Sequence, residues 1–418
     1  MQTLLINAAA ILTVSTDGLN CKRGEEMRNP GILENHALLI EDGIIADFIP
    51  TSSLNTLGFA HIINLHGKTI LPGLIDCHTH SVFAGSRAGE FCMKLGGSSY
   101  EEVAKQGGGI RVTMDATRKA SADELLHIAT KRIMHFVSLG VTTVEIKSGY
   151  GLNYDDEIKI LQVIKTLQSQ TIVDIIPTFL GAHIVPPEYN DRRDEYLCLL
   201  IDHLIPYIAQ HNLAKFCDVF CEESAFTAEE TNILFKFALQ HGLVPKIHTE
   251  QFHSIGGLET ALTNNAISVD HLEVLQDAQI ESIAKSQTTA VLLPGVSFFL
   301  KHQFAPARGL IDASAIVALA TDFNPGSSHI PNMHLIMVLA ALNMGMTIEE
   351  TIAAATINAA NAVGMQKITG SLEIGKQADI AVLDTDNYKD LIYTPGQNLN
   401  CMTIKKGKVI FQQTGNWE

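Results

Sequence analysis

The middle of the chain alternates short apolar runs, rich in β-branched residues, with longer segments of helical period. This alternation predicts parallel strands that are connected by helices. Eight such runs follow one another: 71–77, 141–146, 172–178, 217–221, 243–247, 267–269, 290–293 and 316–320. Because eight parallel strands close into a barrel, the pattern predicts an α/β fold with a (β/α)8 barrel of the TIM type.

Helix starts between these strands carry capping boxes, in which a hydroxyl and a glutamate three residues later satisfy free backbone amides reciprocally. The pairs are Ser121 with Glu124, Thr227 with Glu230, and Thr347 with Glu350. We therefore expect helices to begin at these three positions.

Both ends of the chain have a different pattern. Before residue 70 and after about residue 372, short alternating stretches are interrupted by Gly, Asp and Asn, as in 37–50, 379–384 and 401–412. Neither end alone has enough strands to bury a face, so we expect the two ends to pair in one small β-sandwich. The predicted division is sandwich for 1–69 and 373–418, and barrel for 70–372.

Composition narrows the class of protein. The 418 residues are 46% apolar and 18% charged, which excludes a disordered chain. A net charge of −16 argues against nucleic acid and against an anionic membrane surface as partners. No apolar run approaches the roughly 18 residues of a membrane-spanning helix. Seven dispersed cysteines without a Cys-x-x-Cys pair favour the reducing cytoplasm.

The positions of the histidines suggest chemistry. His78 and His80 directly follow the first predicted barrel strand, and residues two apart on a strand point to the same side. Alone, such a pair is weak evidence of a metal site. Active sites of eight-stranded barrels lie where the strands end, however, so further ligands are expected at other strand ends.

Those ligands are present. His248 ends the fifth predicted strand, His271 the sixth and Asp322 the eighth. Any one of them taken singly is more often a capping or core polar residue. Together, four imidazoles and one carboxylate at four strand ends suit Zn²⁺ or Fe²⁺, with an open position for a water molecule.

This constellation resembles the amidohydrolase superfamily, whose barrels carry His-x-His after strand one, His after strands five and six, and Asp after strand eight. Segments 71–76 and 370–384 resemble the superfamily's connections to its terminal sandwich, so the likeness covers the whole chain. Dinuclear members often add a carboxylated lysine from strand four. Here residues 217–223 contain no lysine, and Lys147 belongs to strand two. The resemblance therefore implies one divalent metal, held by His78, His80, His248 and Asp322.

Deaminases of this superfamily usually place a glutamate three residues after the strand-five histidine. Gln251 stands there in this chain, and glutamine cannot titrate. Glu250 is one residue early, and we interpret it as a structural residue. Another mononuclear amidohydrolase, such as a heterocyclic amine deaminase, stays open as an alternative. A non-catalytic scaffold of the same fold is disfavoured because all five metal-site positions are intact.

Four segments resemble the imidazolonepropionase family more narrowly: 78–91, 147–152, 181–183 and 322–328. Taken alone, Arg87 is more often a surface residue and Tyr150 a packing residue. The resemblance implies that Arg87 and Tyr150 hold the substrate's propionate and that His183 contacts its ring. It implies further pocket residues, namely Asn324, Gly326, Ser327 and, as a ring contact, Gln251. Tyr100 is a weaker candidate.

The reaction implied is hydrolysis of the cyclic amide C–N bond of 4-imidazolone-5-propanoate to N-formimidoyl-L-glutamate, in histidine degradation. Asp322 would act as general base toward a metal-activated water, and His271 would polarise the carbonyl. His183 would orient the ring. Arginine is the cation that best grips a carboxylate, which agrees with a small anionic substrate. The resemblance also leads us to expect a homodimer.

Overall fold

The computed structural model of the protein describes residues 2–97 and 108–414, so Tyr100 lies outside the described residues. In chain order, the strands are β1 (Gln2–Ile6), β2 (Ala10–Leu12), β3 (Ile32–Leu33), β4 (His36–Glu41), β5 (Ile44–Pro50), β6 (His61–Asn64), β7 (Thr69–Pro72), β8 (Leu74–Asp76), β9 (Val141–Lys147), β10 (Asp174–Ala182), β11 (Phe216–Phe220), β12 (Val244–Thr249), β13 (Ser268–His271), β14 (Thr289–Leu292), β15 (Ile316–Leu319), β16 (Ile380–Leu383), β17 (Asn400–Lys405) and β18 (Lys408–Gln412).

The α-helices of the same residues are Ala88–Leu95, Ile110–Lys119, Ala122–Ser138, Tyr154–Gln170, Arg193–Cys198, Ile205–Gln210, Ala228–Gln240, Gly257–Thr263, Asp277–Ala284, Pro294–Leu300, Ala307–Asp312, Met333–Met344, Ile348–Ala354, Ile357–Ala362 and Asp390–Tyr393. The segment Leu199–Leu204 is π-helical, and short 3-10 helices lie at Gly24–Arg28, Thr51–Ser53 and Pro187–Tyr189. All three predicted capping boxes are confirmed, with both reciprocal hydrogen bonds present in each. Among the described residues, no helix combines the length and the apolar character that crossing a bilayer requires.

Strands β8 to β15 form one sheet in sequential order, and each neighbouring pair is parallel. The first and last strands meet just beyond their ends: the amide of Asp322 donates to the carbonyl of His78, and the amide of His80 donates to the carbonyl of Phe323, each at 3.0 Å. The predicted eight-stranded barrel is confirmed. The barrel closes where these two segments meet, and we call this junction the seam. Residues that are expected to bind metal lie at the seam.

The run predicted as one strand over 71–77 is in fact two strands. β7 pairs with β2 and β16 in a terminal sheet, whereas β8 pairs with β9 in the barrel. The change of sheet occurs at Gly73, where a Cβ atom would lie 2.3 Å from the side chain of Thr142. The expected limit at residue 70 therefore falls inside β7, and the division of the chain into domains stays a prediction.

The chain ends form two further sheets, of order β5-β4-β1-β6 and β18-β17-β16-β7-β2-β3. Strands from both ends of the chain therefore share the six-stranded sheet. The inner faces of the two sheets meet in one apolar cluster, which includes Leu5 and Leu38 of the first sheet and Ile70, Ile380 and Ile404 of the second. The pairing expected of the two chain ends is confirmed, because neither set of strands could bury this face alone.

A buried ion pair ties this sandwich to the barrel. The ammonium of Lys405, at the end of β17, lies 2.7 Å from Asp379 and 2.5 Å from Asp174, which begins β10. Its side chain is fully buried. The sandwich therefore holds the amino-terminal side of the barrel, and the carboxyl ends of the strands stay free for a site.

Candidate active site

A cavity of about 800 Å³ opens at the carboxyl ends of the barrel strands. It gathers nearly all the residues predicted from the sequence to bind metal or substrate: His80, Arg87, Tyr150, His183, His248, Gln251, His271, Asp322, Asn324, Gly326 and Ser327. His78 is fully buried beneath its floor, within reach of His80 and Asp322. One cavity thus joins the imidazole cluster to the predicted substrate residues.

Two overlapping trios of ligand atoms lie at the floor of this cavity. His78, His80 and Asp322 form one, and His78, His248 and His271 form the other, with the ligand atoms of each trio within 4.8 Å of one another. Asp322 Oδ1 lies 3.4 Å from His78 Nε2 and 3.3 Å from His80 Nε2. The first trio and His248 together make up the predicted ligand set.

The tautomers of two histidines show that these atoms fit a cation. His78 Nδ1 donates to Asp270 at 2.6 Å, and His248 Nδ1 donates to Asp218 at 3.0 Å. Each Nε2 atom is therefore left with a lone pair, and both are buried without a hydrogen-bond partner among the described residues, as is Asp322 Oδ1. Converging lone pairs that lack donors repel one another, and a cation between them removes this repulsion. Carboxylates behind metal-bound histidines are the usual supports of such a site.

Asp322 is held by its neighbours in the loop after β15. Its Oδ2 atom accepts hydrogen bonds from Asn324 Nδ2 at 2.9 Å and from Ser327 Oγ at 3.3 Å. Asn324 in turn accepts from the amides of Gly326 and Ser327 through Oδ1. The backbone of Asp322 is left-handed, with φ of 47°. Asn324 and Ser327, which were predicted only to line the pocket, therefore also fix the orientation of the Asp322 carboxylate, the predicted general base.

Arg87 is poised at the side of the cavity. Its Nε and Nη2 atoms both donate to Glu90, at 3.0 and 2.9 Å, and the second oxygen of Glu90 accepts from the amide of Gly109. The other guanidinium nitrogen, Nη1, lies against Gly326, where a Cβ atom would come within 2.1 Å of it. The loop can pass this close to the guanidinium only because residue 326 has no side chain.

Tyr150 and His183 lie between the arginine and the histidine cluster. Burial raises the pKa of Tyr150 well above its usual value, so its hydroxyl stays a donor. His183 Nδ1 donates to the carbonyl of Gly149 at 2.9 Å. Burial, with the neighbouring His80, lowers the pKa of His183 to about 3. Its Nε2 atom is therefore a hydrogen-bond acceptor in the cavity, suited to a ring N–H group.

His271 ends β13 in a conformation that is rare for residues with side chains, with φ of 90°. Its Nδ1 atom lies 3.3 Å from Glu273, which is buried. Burial acts to lower the pKa of His271, but the negative charge of Glu273 outweighs it and the pKa is raised. The raised pKa favours the protonated form of His271, whose N–H group can donate to an oxygen that gains negative charge.

The loop after β12 directs Gln251 into the cavity, while Glu250 is buried behind it with φ of 55°. Burial raises the pKa of Glu250. The loop is held from below by Glu222, which accepts from the amides of Phe252 and His253 at 3.0 and 3.1 Å. Gln251 lines the cavity, and both its expected ring contact and the structural role of Glu250 stay predictions.

Several residues that matter here were not identified from the sequence. Asp218 and Asp270 hold the predicted metal ligands His248 and His78, Glu273 faces His271, and Glu90 holds Arg87. A signal existed for Asp270, since it lies in the strand-end segment that contains His271. Nothing in the sequence pairs Asp218 with His248, because that contact depends on the register of β11 against β12.

The comparisons with known proteins agree with this geometry. The sequence profile of the amidohydrolase family matches residues 69–410. An imidazolonepropionase from Geobacillus thermodenitrificans is 46% identical over 394 residues, or 93% of each chain. One from Clostridium tetani is 41% identical over 415 residues, or 98% of each chain.

Solved structures share the fold at lower identity. An adenosine deaminase from Xanthomonas campestris with bound zinc gives a TM-score of 0.73 at 19% identity, over 98% of this chain and 93% of its own. An atrazine chlorohydrolase from Arthrobacter aurescens gives 0.71 at 16%, over 98% and 95%. The profile match and the full-length relatives place this chain in the amidohydrolase family and, within it, among the imidazolonepropionases.

Proposed function

We propose that this chain hydrolyses the cyclic amide C–N bond of 4-imidazolone-5-propanoate and releases N-formimidoyl-L-glutamate, a step of histidine degradation. Its family makes it a hydrolase that acts on carbon–nitrogen bonds. The observation that carries the proposal is the single cavity that connects the histidine and aspartate cluster with Arg87. That cavity offers a cation for the propionate and a hydrolytic centre for the ring.

Substrate recognition follows from the free atoms of the cavity. The Nη1 atom of Arg87 and the hydroxyl of Tyr150 would bind the propionate, since a guanidinium and a neutral phenol both donate to a carboxylate. His183 would accept the ring N–H through Nε2, because its Nδ1 is engaged with Gly149. Gln251 would bind the opposite edge of the ring.

One divalent metal per chain, Zn²⁺ or Fe²⁺, would be held by His78, His80, His248 and Asp322. When bound, it would lower the pKa of a water molecule and polarise the carbonyl. Asp322, whose carboxylate faces His78 and His80, would accept a proton from the attacking water. It would then deliver the proton to the leaving nitrogen, while His271 donates to the carbonyl oxygen.

Conversion is tested by the loss of the substrate's ultraviolet absorbance, with formimidoyl-glutamate identified by mass spectrometry. Asp322→Asn should abolish turnover, because an amide cannot take the proton. Asp312→Asn, on an exposed helix end, is the matched control and should keep full activity. Full activity of Asp322→Asn would contradict the general-base role.

A deaminase of heterocyclic amines is the second candidate, and the resemblance of the fold to an adenosine deaminase favours testing it. Gln251 argues against it, since an amide cannot shuttle the proton that deamination requires. Release of ammonia from heterocyclic amines, with the imidazolone untouched, would favour this candidate. The Arg87→Ala variant separates the two further, because only a substrate with an anionic tail should lose binding.

A further inference from the structure

Five ionisable side chains fill the barrel directly below the histidine cluster. They come from four of the eight barrel strands, β9, β11, β12 and β13, and each is fully buried: Glu145, Lys147, Asp218, Lys246 and Asp270. The interior of such barrels is ordinarily packed with apolar branched side chains. Burying charges costs free energy unless they are paired closely, so this arrangement calls for a function.

Lys147 occupies the centre of this group. Its ammonium lies 2.7 Å from Asp218 Oδ2, 3.0 Å from Glu145 Oε2 and 3.6 Å from Asp270 Oδ2. Burial acts to lower the pKa of Lys147, but the three carboxylates outweigh it and raise the pKa. The side chain is therefore a permanent cation among three carboxylates.

Two of these carboxylates also support the predicted metal ligands. The other oxygen of Asp218 holds His248, while Asp270 uses Oδ2 itself to hold His78. The ammonium is thus separated from each of these histidines by a single carboxylate. In dinuclear metal centres, carboxylates and histidines surround two cations only about 3.5–4 Å apart.

The carboxylates around the ammonium also have unused acceptor capacity. Asp270 Oδ1 and Glu145 Oε2 are buried without a hydrogen-bond donor among the described residues, although the latter lies at ion-pair distance from Lys147. These carboxylate oxygens are more numerous than the donors of one ammonium can satisfy. Oxygen atoms of this kind are typical ligands for a divalent cation.

We propose that the ammonium of Lys147 takes the place of a second metal ion between Asp218, Asp270 and Glu145, and thereby keeps the centre mononuclear. The inference rests on the metal centre of the proposed function and deepens it. The lysine ammonium compensates part of the carboxylate charge with one positive charge. Unlike a second metal ion, it does not draw histidine ligands away from the metal proposed at the histidine cluster. A truncated side chain at this position should leave both the space and the ligands for a divalent cation.

Lys246 is the matched control for this idea. It is equally buried and carries the same charge, but its ammonium lies 2.9 Å from Glu145 and 4.0 Å from Asp270, and it donates to the carbonyl of Cys77. Removing it should remove a buried cation without opening a position between Asp218 and Asp270. Comparing Lys246→Ala with Lys147→Ala therefore distinguishes the loss of any buried positive charge from the opening of a cation position between Asp218 and Asp270.

The test is the zinc content of the full-length protein, determined by elemental analysis after incubation with excess Zn²⁺ and gel filtration. We expect one zinc per chain in the wild type and in Lys246→Ala, and two in Lys147→Ala. A folded Lys147→Ala protein that retains one zinc would overturn the proposal. So would a second zinc in Lys246→Ala or in the wild type.

A second variant keeps the proposal testable if the Lys147→Ala protein does not fold. The double variant Glu145→Gln with Lys147→Ala keeps the summed charge of the five side chains, because it removes one charge of each sign. It should fold in the presence of zinc and bind a second ion through Asp218 and Asp270. If neither variant folds even with saturating zinc, the proposal is wrong, since a divalent ion should replace the ammonium. The substrate assay on the wild type is independent of all these outcomes.

Discussion

At the scale of single residues, the chemistry of this site depends on which atom of each side chain is already engaged. Asp270 and Asp218 occupy the Nδ1 atoms of His78 and His248, so only the Nε2 atoms can bind a metal. Gly149 occupies Nδ1 of His183 in the same way. Hydrogen bonds behind each ring therefore decide what it presents to the cavity.

The contact between Gly326 and Arg87 leads to a prediction about substrate binding. Gly326→Ala should raise KM roughly tenfold or more, with a smaller effect on kcat, because the added Cβ must displace the guanidinium and a charge-assisted hydrogen bond contributes about 1.5–3 kcal/mol. Steady-state kinetics measures this. Gly89→Ala is the control, since nothing lies within 4 Å of its Cβ position, and it should leave KM unchanged. An unaltered KM in Gly326→Ala would remove Arg87 from substrate binding.

His334 determines part of the dependence of stability on pH. Both ring nitrogens are buried without a partner in the described part of the chain, and burial lowers the pKa to about 4. In the unfolded chain the pKa is about 6.5, so between these values the unfolded state binds more protons and stability falls as the pH falls. His334 should therefore cost up to roughly 3 kcal/mol of stability across that window.

His334→Leu should remove this dependence, because leucine has a similar volume and no proton to bind. Urea unfolding of both proteins at pH 7.5 and 4.5 measures the effect. The loss of unfolding free energy on acidification should be smaller in the variant by roughly 2–3 kcal/mol. Equal losses in the two proteins would show that His334 is not buried as a neutral group.

At the scale of elements, the turn after β9 is fixed by the helix that follows it. Glu157, in helix Tyr154–Gln170, is fully buried and accepts from the amides of Gly149, Gly151 and Leu152. That turn carries Tyr150 and supplies the carbonyl that holds His183. A carboxylate has enough acceptor sites for three amides, whereas glutamine offers one oxygen and directs an NH₂ group at a donor.

Glu157→Gln should therefore lower the unfolding free energy by about 1–3 kcal/mol and raise KM, since the turn loosens. Denaturant unfolding and steady-state kinetics measure the two effects. Asp155→Asn, an exposed first-turn residue of the same helix, should change the unfolding free energy by less than about 1 kcal/mol. A destabilised variant with normal KM would show that the turn does not position Tyr150.

At the scale of the whole molecule, the proposed metal site spans the seam of the barrel. His78 and His80 follow the first barrel strand and Asp322 the last, and backbone hydrogen bonds join the two segments there. Asp76 adds a further link, accepting from the amide and the hydroxyl of Thr321 at 3.1 and 2.6 Å. A bound metal would therefore hold the ring closed.

Removal of metal should accordingly lower the Tm of the whole protein. Zinc at one hundred times its Kd should add about 2.7 kcal/mol to the unfolding free energy of the metal-free protein. Thermal scans of chelated and reloaded protein measure this, and His248→Ala should abolish the zinc-dependent rise. Identical Tm values for saturated and metal-free wild type would contradict a site across the seam. The expected homodimer stays a prediction that sedimentation of the purified protein can decide.

Local patterns in the sequence were sufficient to predict the eight barrel strands and their order, except that the run 71–77 is divided between two sheets. The strand ends at His248, His271 and Asp322 and the pairing of the chain ends follow from the periodicity of apolar residues. The three capping boxes follow from the free backbone amides at each helix start, which nearby side chains satisfy. The His-x-His pair and its distant partners could be grouped because parallel strands end on one face of a barrel. These properties are local or follow from chain order.

Only the tertiary structure determined what lies behind those residues. The pairing of Asp218 with His248, the ammonium of Lys147 among three carboxylates, and the contact of Arg87 with Gly326 join positions far apart in the chain. The switch of sheet at Gly73 depends likewise on the nearby Thr142. Such contacts depend on register between strands and on the space left by packing, and a one-residue change in register redirects every side chain. The sequence by itself therefore determined which groups reach the site, and the fold decided which of their atoms are free to act.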